Sequence, residues 1–264
     1  MMVYTKKGEK RMSKKRKTAS LLLAGALFFG LPFTGVAKET KKAAPKKPAP
    51  KVVQYVALGD SLAAGQTPDG FIDYGYPDYI ADNFTKNKST YKLSDYDNFG
   101  IPGYTSEQLK VDLLKSKKIQ KEVKEATHIT IDIGANDLLA AIKANPTDPT
   151  KIAEFIPGVA KNLNEILTQI DKLNSKAKVF VMGYYNPYPY YPAEQQKALL
   201  PLLTAFNGQI SLAAKNHKDT YVATEKPIAS KYQDYFTNPT NIHLSIAGYK
   251  VIANEFWKSI VKVK

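Results

Sequence analysis

The stretch Val56-Ala57-Leu58-Gly59-Asp60-Ser61-Leu62-Ala63-Ala64-Gly65 reads as an apolar β-strand that breaks at Gly59 and delivers a serine into the turn that follows. Open α/β sheets bind ligands beyond the carboxyl ends of their strands, so the Ser61 hydroxyl stands where other segments of the chain can converge on it. The same three residues, Gly59-Asp60-Ser61, read equally well as a turn and a helix N-cap, since Gly, Asp and Ser favour both. What the rest of the chain places beside Ser61 decides between the two.

Working outward, apolar β-rich runs recur at 127–133, 178–184 and 220–223, with a shorter candidate near 96–99; the opening strand covers 52–58. Helical spacing fills 77–87, 105–124, 136–144, 150–174, 193–216 and 245–262. Strands separated by helices of this length need crossover connections. The expectation is therefore a three-layer α/β/α domain with a mostly parallel five-stranded sheet, spanning 52–264 without an internal repeat. In such a sheet the residues just after each strand share one edge. They are Gly59-Asp60-Ser61, then Asn98-Phe99-Gly100-Ile101-Pro102-Gly103-Tyr104-Thr105, then Gly134-Ala135-Asn136-Asp137. Asn241-Ile242-His243-Leu244-Ser245 follows immediately before the last helix.

Taken together, the ordered blocks GDSLAAG, NFGIPG, GAND and the terminal histidine segment make the chain resemble the SGNH hydrolases, the GDSL-type lipases and esterases. The resemblance spans 59–248 and implies a flavodoxin-like fold and hydrolysis of carboxylic esters. By the same resemblance Ser61 is the nucleophile and His243 its base, with an oxyanion hole from the backbone N–H groups of Ser61 and Gly103 and the side-chain amide of Asn136. Each role suits its residue. A glycine lets backbone approach a substrate closely, and an amide is a neutral donor. Read singly, Gly103 is a turn glycine and Asn136 a helix cap.

One position departs from the family. An aspartate usually stands three residues before the histidine, and here that residue is Thr240. The expectation is a Ser-His pair whose imidazole is oriented by a neutral acceptor, from Asn238, Thr240, Asn241 or a backbone carbonyl, with Asp234 reaching back as the alternative. His128 falls inside a buried strand and His217 at a Lys-rich helix end, so neither competes with His243. Asp60 is expected to shape its turn, and Asp137 to stiffen the Asn136 turn through local backbone hydrogen bonds.

Substrate-facing candidates come from Tyr184-Tyr185-Asn186-Pro187-Tyr188-Pro189-Tyr190-Tyr191-Pro192, which follows the fourth strand. Tyr184, Tyr185, Tyr188 and Tyr190 could wall an acyl chain or stack on a sugar, or the run is simply a proline-stiffened loop. Three readings of function follow. They are an esterase or lipase acting on lipid or small acyl esters, an O-acetylesterase of envelope polysaccharide or peptidoglycan, and a non-catalytic envelope-binding module.

Composition narrows the partners. The net charge of +14 is concentrated in residues 1–51, which hold 14 of the 38 Lys+Arg, both arginines included, and only Glu9 and Glu39 of the 24 acids. The domain is thus nearly neutral and lacks a guanidinium for phosphate or guanine contacts, which argues against nucleic acid. Without cysteine there is no disulfide, thiol nucleophile or thiolate metal site, and three scattered histidines imply no metal and no cofactor. Eight cations between Lys6 and Lys17, then an uncharged stretch over 18–37 ending in Gly35 and Ala37, give the layout of a signal peptide, with cleavage after Ala37. An uncleaved anchor is the competing reading, since 18–37 is long enough to span a membrane. Residues 38–51, rich in Lys, Pro and Ala, read as an extended tether, either a solvated spacer or a contact to anionic envelope polymers and lipid head groups. The protein is expected to be secreted or envelope-associated and monomeric.

Overall fold

The computed structural model describes residues 48–263. The leader expected over 1–37, and residues 38–47 of the tether, lie outside the described residues. Five strands form one sheet: β1 (Lys51–Gly59), β2 (Tyr91–Gly100), β3 (His128–Asp132), β4 (Lys178–Gly183) and β5 (Thr220–Ala223), in the order β2-β1-β3-β4-β5. All four neighbouring pairs are parallel, so the sheet is parallel throughout. Lys51 already pairs with Tyr91, so the strand takes the last residue assigned to the tether.

The interior strands read clearly because both faces are covered: all five residues of β3 are buried. β2 extends over ten residues where the apolar pattern marks only 96–99. It is one of the two edge strands, and its YKLSDYDNFG sequence leaves mostly polar side chains half-buried or exposed. Apolar counting underestimates such a strand, and charges there also discourage pairing with another chain.

Around the sheet lie α1 (Ser61–Ala64), α2 (Tyr76–Lys86), α3 (Ser106–Lys115), α4 (Lys117–Glu125), α5 (Ala135–Ala144), α6 (Pro149–Ala153), α7 (Ile156–Asn174), α8 (Ala193–His217), α9 (Glu225–Ala229), α10 (Tyr232–Tyr235) and α11 (Ile246–Ile260). α2 packs on α11, while α7 packs on α3 and α8. Two expected helices are broken. The 105–124 stretch divides at Ser116, whose backbone is extended and whose hydroxyl accepts the Ile119 N–H at 3.4 Å as the cap of α4. The 150–174 stretch divides at Glu154 and Phe155, just ahead of Pro157, which starts a helix more readily than it continues one.

Strand order positions the site. From β1 the chain moves outward to β2, then crosses back to lay β3 on the other side of β1. The winding reverses between β1 and β3, and at such a reversal the connections diverge and leave a crevice beyond the strand ends. Ser61 leaves β1 and Asn136 leaves β3 at that crevice.

Candidate active site

Ser61 is the first residue of α1 and is buried. First-turn N–H groups have no partner inside the helix, and here Asp60 Oδ1 accepts that of Leu62 at 3.0 Å. Asp60 therefore shapes the turn, as the sequence indicates. The serine hydroxyl lies 2.8 Å from His243 Nε2, although the two residues are 182 positions apart.

Of the four residues considered for orienting the imidazole, Asn241 does so. Its Oδ1 lies 2.7 Å from His243 Nδ1 and also accepts the His243 backbone N–H at 2.9 Å. Its Nδ2 donates to the Pro68 carbonyl at 2.9 Å. These partners assign the amide orientation and hence the tautomer: Nδ1 carries the proton and Nε2 offers its lone pair to the serine hydroxyl. Thr240, at the family's aspartate position, turns away, its Oγ1 and N–H both donating to Asn238 Oδ1. Asn238 Nδ2 donates to Pro68 at 3.4 Å. Asp234 meets this region through its backbone carbonyl, which accepts from Ser245 Oγ, so the idea of Asp234 reaching back to His243 is not realised. With a neutral amide behind it, the half-buried imidazole is held below the ordinary histidine range by desolvation.

Asn136 sits in the first turn of α5 and donates from Nδ2 to the Tyr104 carbonyl at 2.8 Å, which leaves the second amide hydrogen available. Gly103 occupies the turn from Ile101 to Tyr104 with φ +78°, a conformation that follows Pro102 readily only for glycine. That turn is tied at one end to Gly59, whose carbonyl accepts the Ile101 N–H at 3.1 Å, and at the other to Asn136. Gly103 itself is exposed on the turn and does not line the cavity beside Ser61. Asp137 acts differently from expectation. Its carboxylate accepts the Ser106 N–H at 2.9 Å and the Ser106 hydroxyl at 2.8 Å, so it ties α5 to the start of α3 rather than stiffening its own turn.

The cavity next to Ser61 and His243 measures about 740 Å³ including its open mouth. Of the tyrosine segment, Tyr184, Tyr185 and Tyr188 line it, the first two as buried side chains. Tyr190 does not. Its hydroxyl donates to the Phe236 carbonyl at 3.1 Å and its ring packs on Tyr232. Much of the apolar wall comes from residues the sequence marks only as helix faces, among them Leu138, Leu139 and Ile142 on α5, and Leu199, Leu203 and Phe206 on α8. The 199, 203, 206 spacing is legible as one face of a helix, but nothing local distinguishes a face turned to a cavity from one turned to the core.

Asp132 is a second residue that sequence reading passes over. It ends β3 directly opposite Gly59 and is fully buried beside Asp60. A Cβ at Gly59 would stand 2.3 Å from Asp132 Oδ1, so the glycine of the GDSL block makes room for this carboxyl group.

A protein of Bacillus subtilis (strain 168), the uncharacterized protein YpmR, is 27% identical over 231 residues, 85% of this chain and 88% of that one. Among solved structures, the lipase Lip_vut3 from a goat rumen metagenome superposes with a TM-score of 0.64 at 21% identity, covering 78% of this chain and 97% of that one. The acetylxylan esterase Axe2 from Geobacillus stearothermophilus superposes with a TM-score of 0.60 at 17% identity, covering 82% and 96%. At these identities the two structures speak for the fold. The sequence match to the GDSL-like lipase/acylhydrolase family covers residues 57–251 and takes in all four blocks that the sheet gathers at its carboxyl edge. The chain belongs to that family and is a serine ester hydrolase.

Proposed function

We propose that the enzyme hydrolyses carboxylic esters with a hydrocarbon acyl chain, through an acyl-enzyme on Ser61. The observation that supports this most is the apolar cavity, walled by α5 and α8, that adjoins the paired Ser61 and His243 side chains. An acetyl group has no use for such a wall, whereas an acyl chain leaving water for it gains roughly 0.8 kcal/mol per buried methylene.

In the acylation step Ser61 Oγ attacks the ester carbonyl while His243 Nε2 takes its proton. Negative charge develops on the carbonyl oxygen, where the Ser61 N–H and the free hydrogen of the Asn136 amide, both on the cavity lining, act as donors. The imidazolium returns its proton to the leaving alkoxide, and a water activated by the same nitrogen then releases the acid. Asn241 holds the ring by accepting from Nδ1. Because it brings no charge, the base ionises at lower pH than a histidine backed by aspartate. The basic, then apolar, then small-residue leader supports export, with action outside the cytoplasm on envelope or environmental lipids.

The test is a p-nitrophenyl ester series from acetate upward, run beside acetate release from acetylated glycan, with the wild type and Ser61→Ala. Turnover is expected to rise from acetyl to medium-length acyl chains and to vanish in Ser61→Ala. Undiminished hydrolysis by Ser61→Ala would remove the acyl-enzyme, and preference for acetylated glycan would replace the substrate.

A further inference from the structure

Directly beneath Ser61 two carboxyl groups, Asp60 and Asp132, lie side by side with both residues almost wholly excluded from solvent. The Asp60 N–H donates to Asp132, to Oδ2 at 3.3 Å and to the backbone carbonyl at 3.2 Å. Two buried tyrosines close the group from opposite elements. Tyr76 on α2 donates to Asp132 Oδ1 at 2.6 Å, and Tyr184, after β4, donates to Asp60 Oδ2 at 3.2 Å. Neither carboxyl group has an ion-pair partner among the described residues.

Two ionised carboxylates cannot share so dry a site without a cation, so one of the two keeps its proton. We infer that Asp132 is a positioning residue for the Ser61 reaction: it keeps one proton jointly with Asp60, and this acid-carboxylate pair sets the turn that presents the nucleophile and its backbone N–H. The donor count fits. Asp60 as the carboxylate accepts from Leu62 N–H, Tyr184 and the shared proton. Asp132 as the acid donates that proton and accepts from Tyr76 and the Asp60 N–H.

Burial raises the affinity of both groups for a proton, and for Asp132 the charge on Asp60 adds to it. The other titratable groups on the elements packed around them are Tyr55 on β1, Asp137 on α5, Tyr185 after β4, Tyr249 on α11 and, across Ser61, His243. None of these is a resident cation, since the imidazole is held neutral by its own burial. Asp132 therefore releases its proton on unfolding. A group that binds its proton more tightly when folded loses stabilising effect as pH rises from the ordinary carboxylate range toward its folded value.

The kinetic part of this inference rests on the Ser61 reading, and the thermal part does not. Asp132→Asn supplies an amide that donates to Asp60 and accepts from Tyr76; it loses only the 3.3 Å contact from the Asp60 N–H, which still donates to the backbone carbonyl of residue 132. It should retain wild-type kcat and KM at neutral pH. Asp132→Ala should lower kcat by about 100-fold with little change in KM, the size of loss that a misplacement of about 1 Å brings. Thermal unfolding between pH 4 and 9 should show the wild type losing stability relative to Asp132→Asn as pH rises. Parallel pH profiles of Tm in the two proteins, or an Asp132→Asn as impaired in kcat as Asp132→Ala, would overturn the shared proton. If Ser61→Ala proved active while the Tm profiles diverged, the proton pair would stand and the nucleophile assignment would fall.

Discussion

The two ends of the sheet carry similar chemical groups and do different things with them. At the carboxyl end, His243 meets Ser61 and Asn241, and the Asp60-Asp132 pair lies beneath. At the amino end, His128 opens β3, buried between the rings of Phe84 and Phe180, with Nδ1 on Thr127 Oγ1 at 2.9 Å. Desolvation, with Lys178 and Lys51 nearby, brings its pKa down to about 4. Asp219, just before β5, is pushed up to about 7 by burial and the charge of Asp171, and its Oδ2 has no hydrogen-bond partner among the described residues. His217 beside it pairs with Asp171 at 2.7 Å. A displaced pKa is thus common to both ends and marks neither as a site. What separates them is convergence, because only the carboxyl end brings a nucleophile, a base, amide donors and an apolar cavity together.

That contrast can be broken or sharpened by measurement. The largest expected effect is on the histidines: His243→Ala should lower kcat by up to roughly 10⁶-fold, as loss of a triad base does elsewhere. His128→Gln should leave kcat unchanged, so a comparable loss there would erase the distinction between the ends. Next, Asn136→Ala should cost about 10²–10³ in kcat, or about 2.7–4 kcal/mol, with KM little altered, if its amide meets the oxyanion. Smaller again is the effect of Asn241→Asp. The wild-type acid limb of kcat/KM should fall below about pH 6.5, the ordinary histidine value, because burial favours the neutral ring. Adding a carboxylate favours the imidazolium and should move that limb upward in pH. An unmoved limb would mean that the Asn241 contact does not govern the base. Smallest is Asp219→Asn. With a folded pKa of about 7, Asp219 takes up a proton on folding between the ordinary carboxylate range and neutrality, so stability falls as pH rises through that window. The variant should melt slightly higher than the wild type above pH 7, the gap closing near pH 4, with kcat unaltered at every pH.

Legibility followed the same division. Ser61, Asn136 and His243 could be found because each stands just past a strand or just before a helix, where a block of small and polar residues interrupts an apolar pattern. Asp132 was hidden because it falls within a strand run, where one polar residue among apolar ones carries no local signal. The cavity wall was hidden for a related reason, since Leu199, Leu203 and Phe206 have the periodicity of any buried helix face. Asn241 could be named only as one of several candidates. Its selection over Thr240 depends on the Asn238 side chain holding Thr240 in a turn and on the Pro68 carbonyl fixing the Asn241 amide, a contact across 173 positions.

By itself the sequence determined the alternation of strands and helices, the parallel sheet, and the residues delivered to its carboxyl edge. These follow from local periodicity and from the few connections that parallel strands allow. Tertiary structure alone decided which neutral group backs His243, that a buried carboxyl pair lies under Ser61, and that α5 and α8 turn their leucines toward a cavity. Each of these depends on distances between segments far apart in the chain. Hydrogen bonds and burial act over a few ångströms, and proximity of that kind exists only once the sheet has brought the segments together.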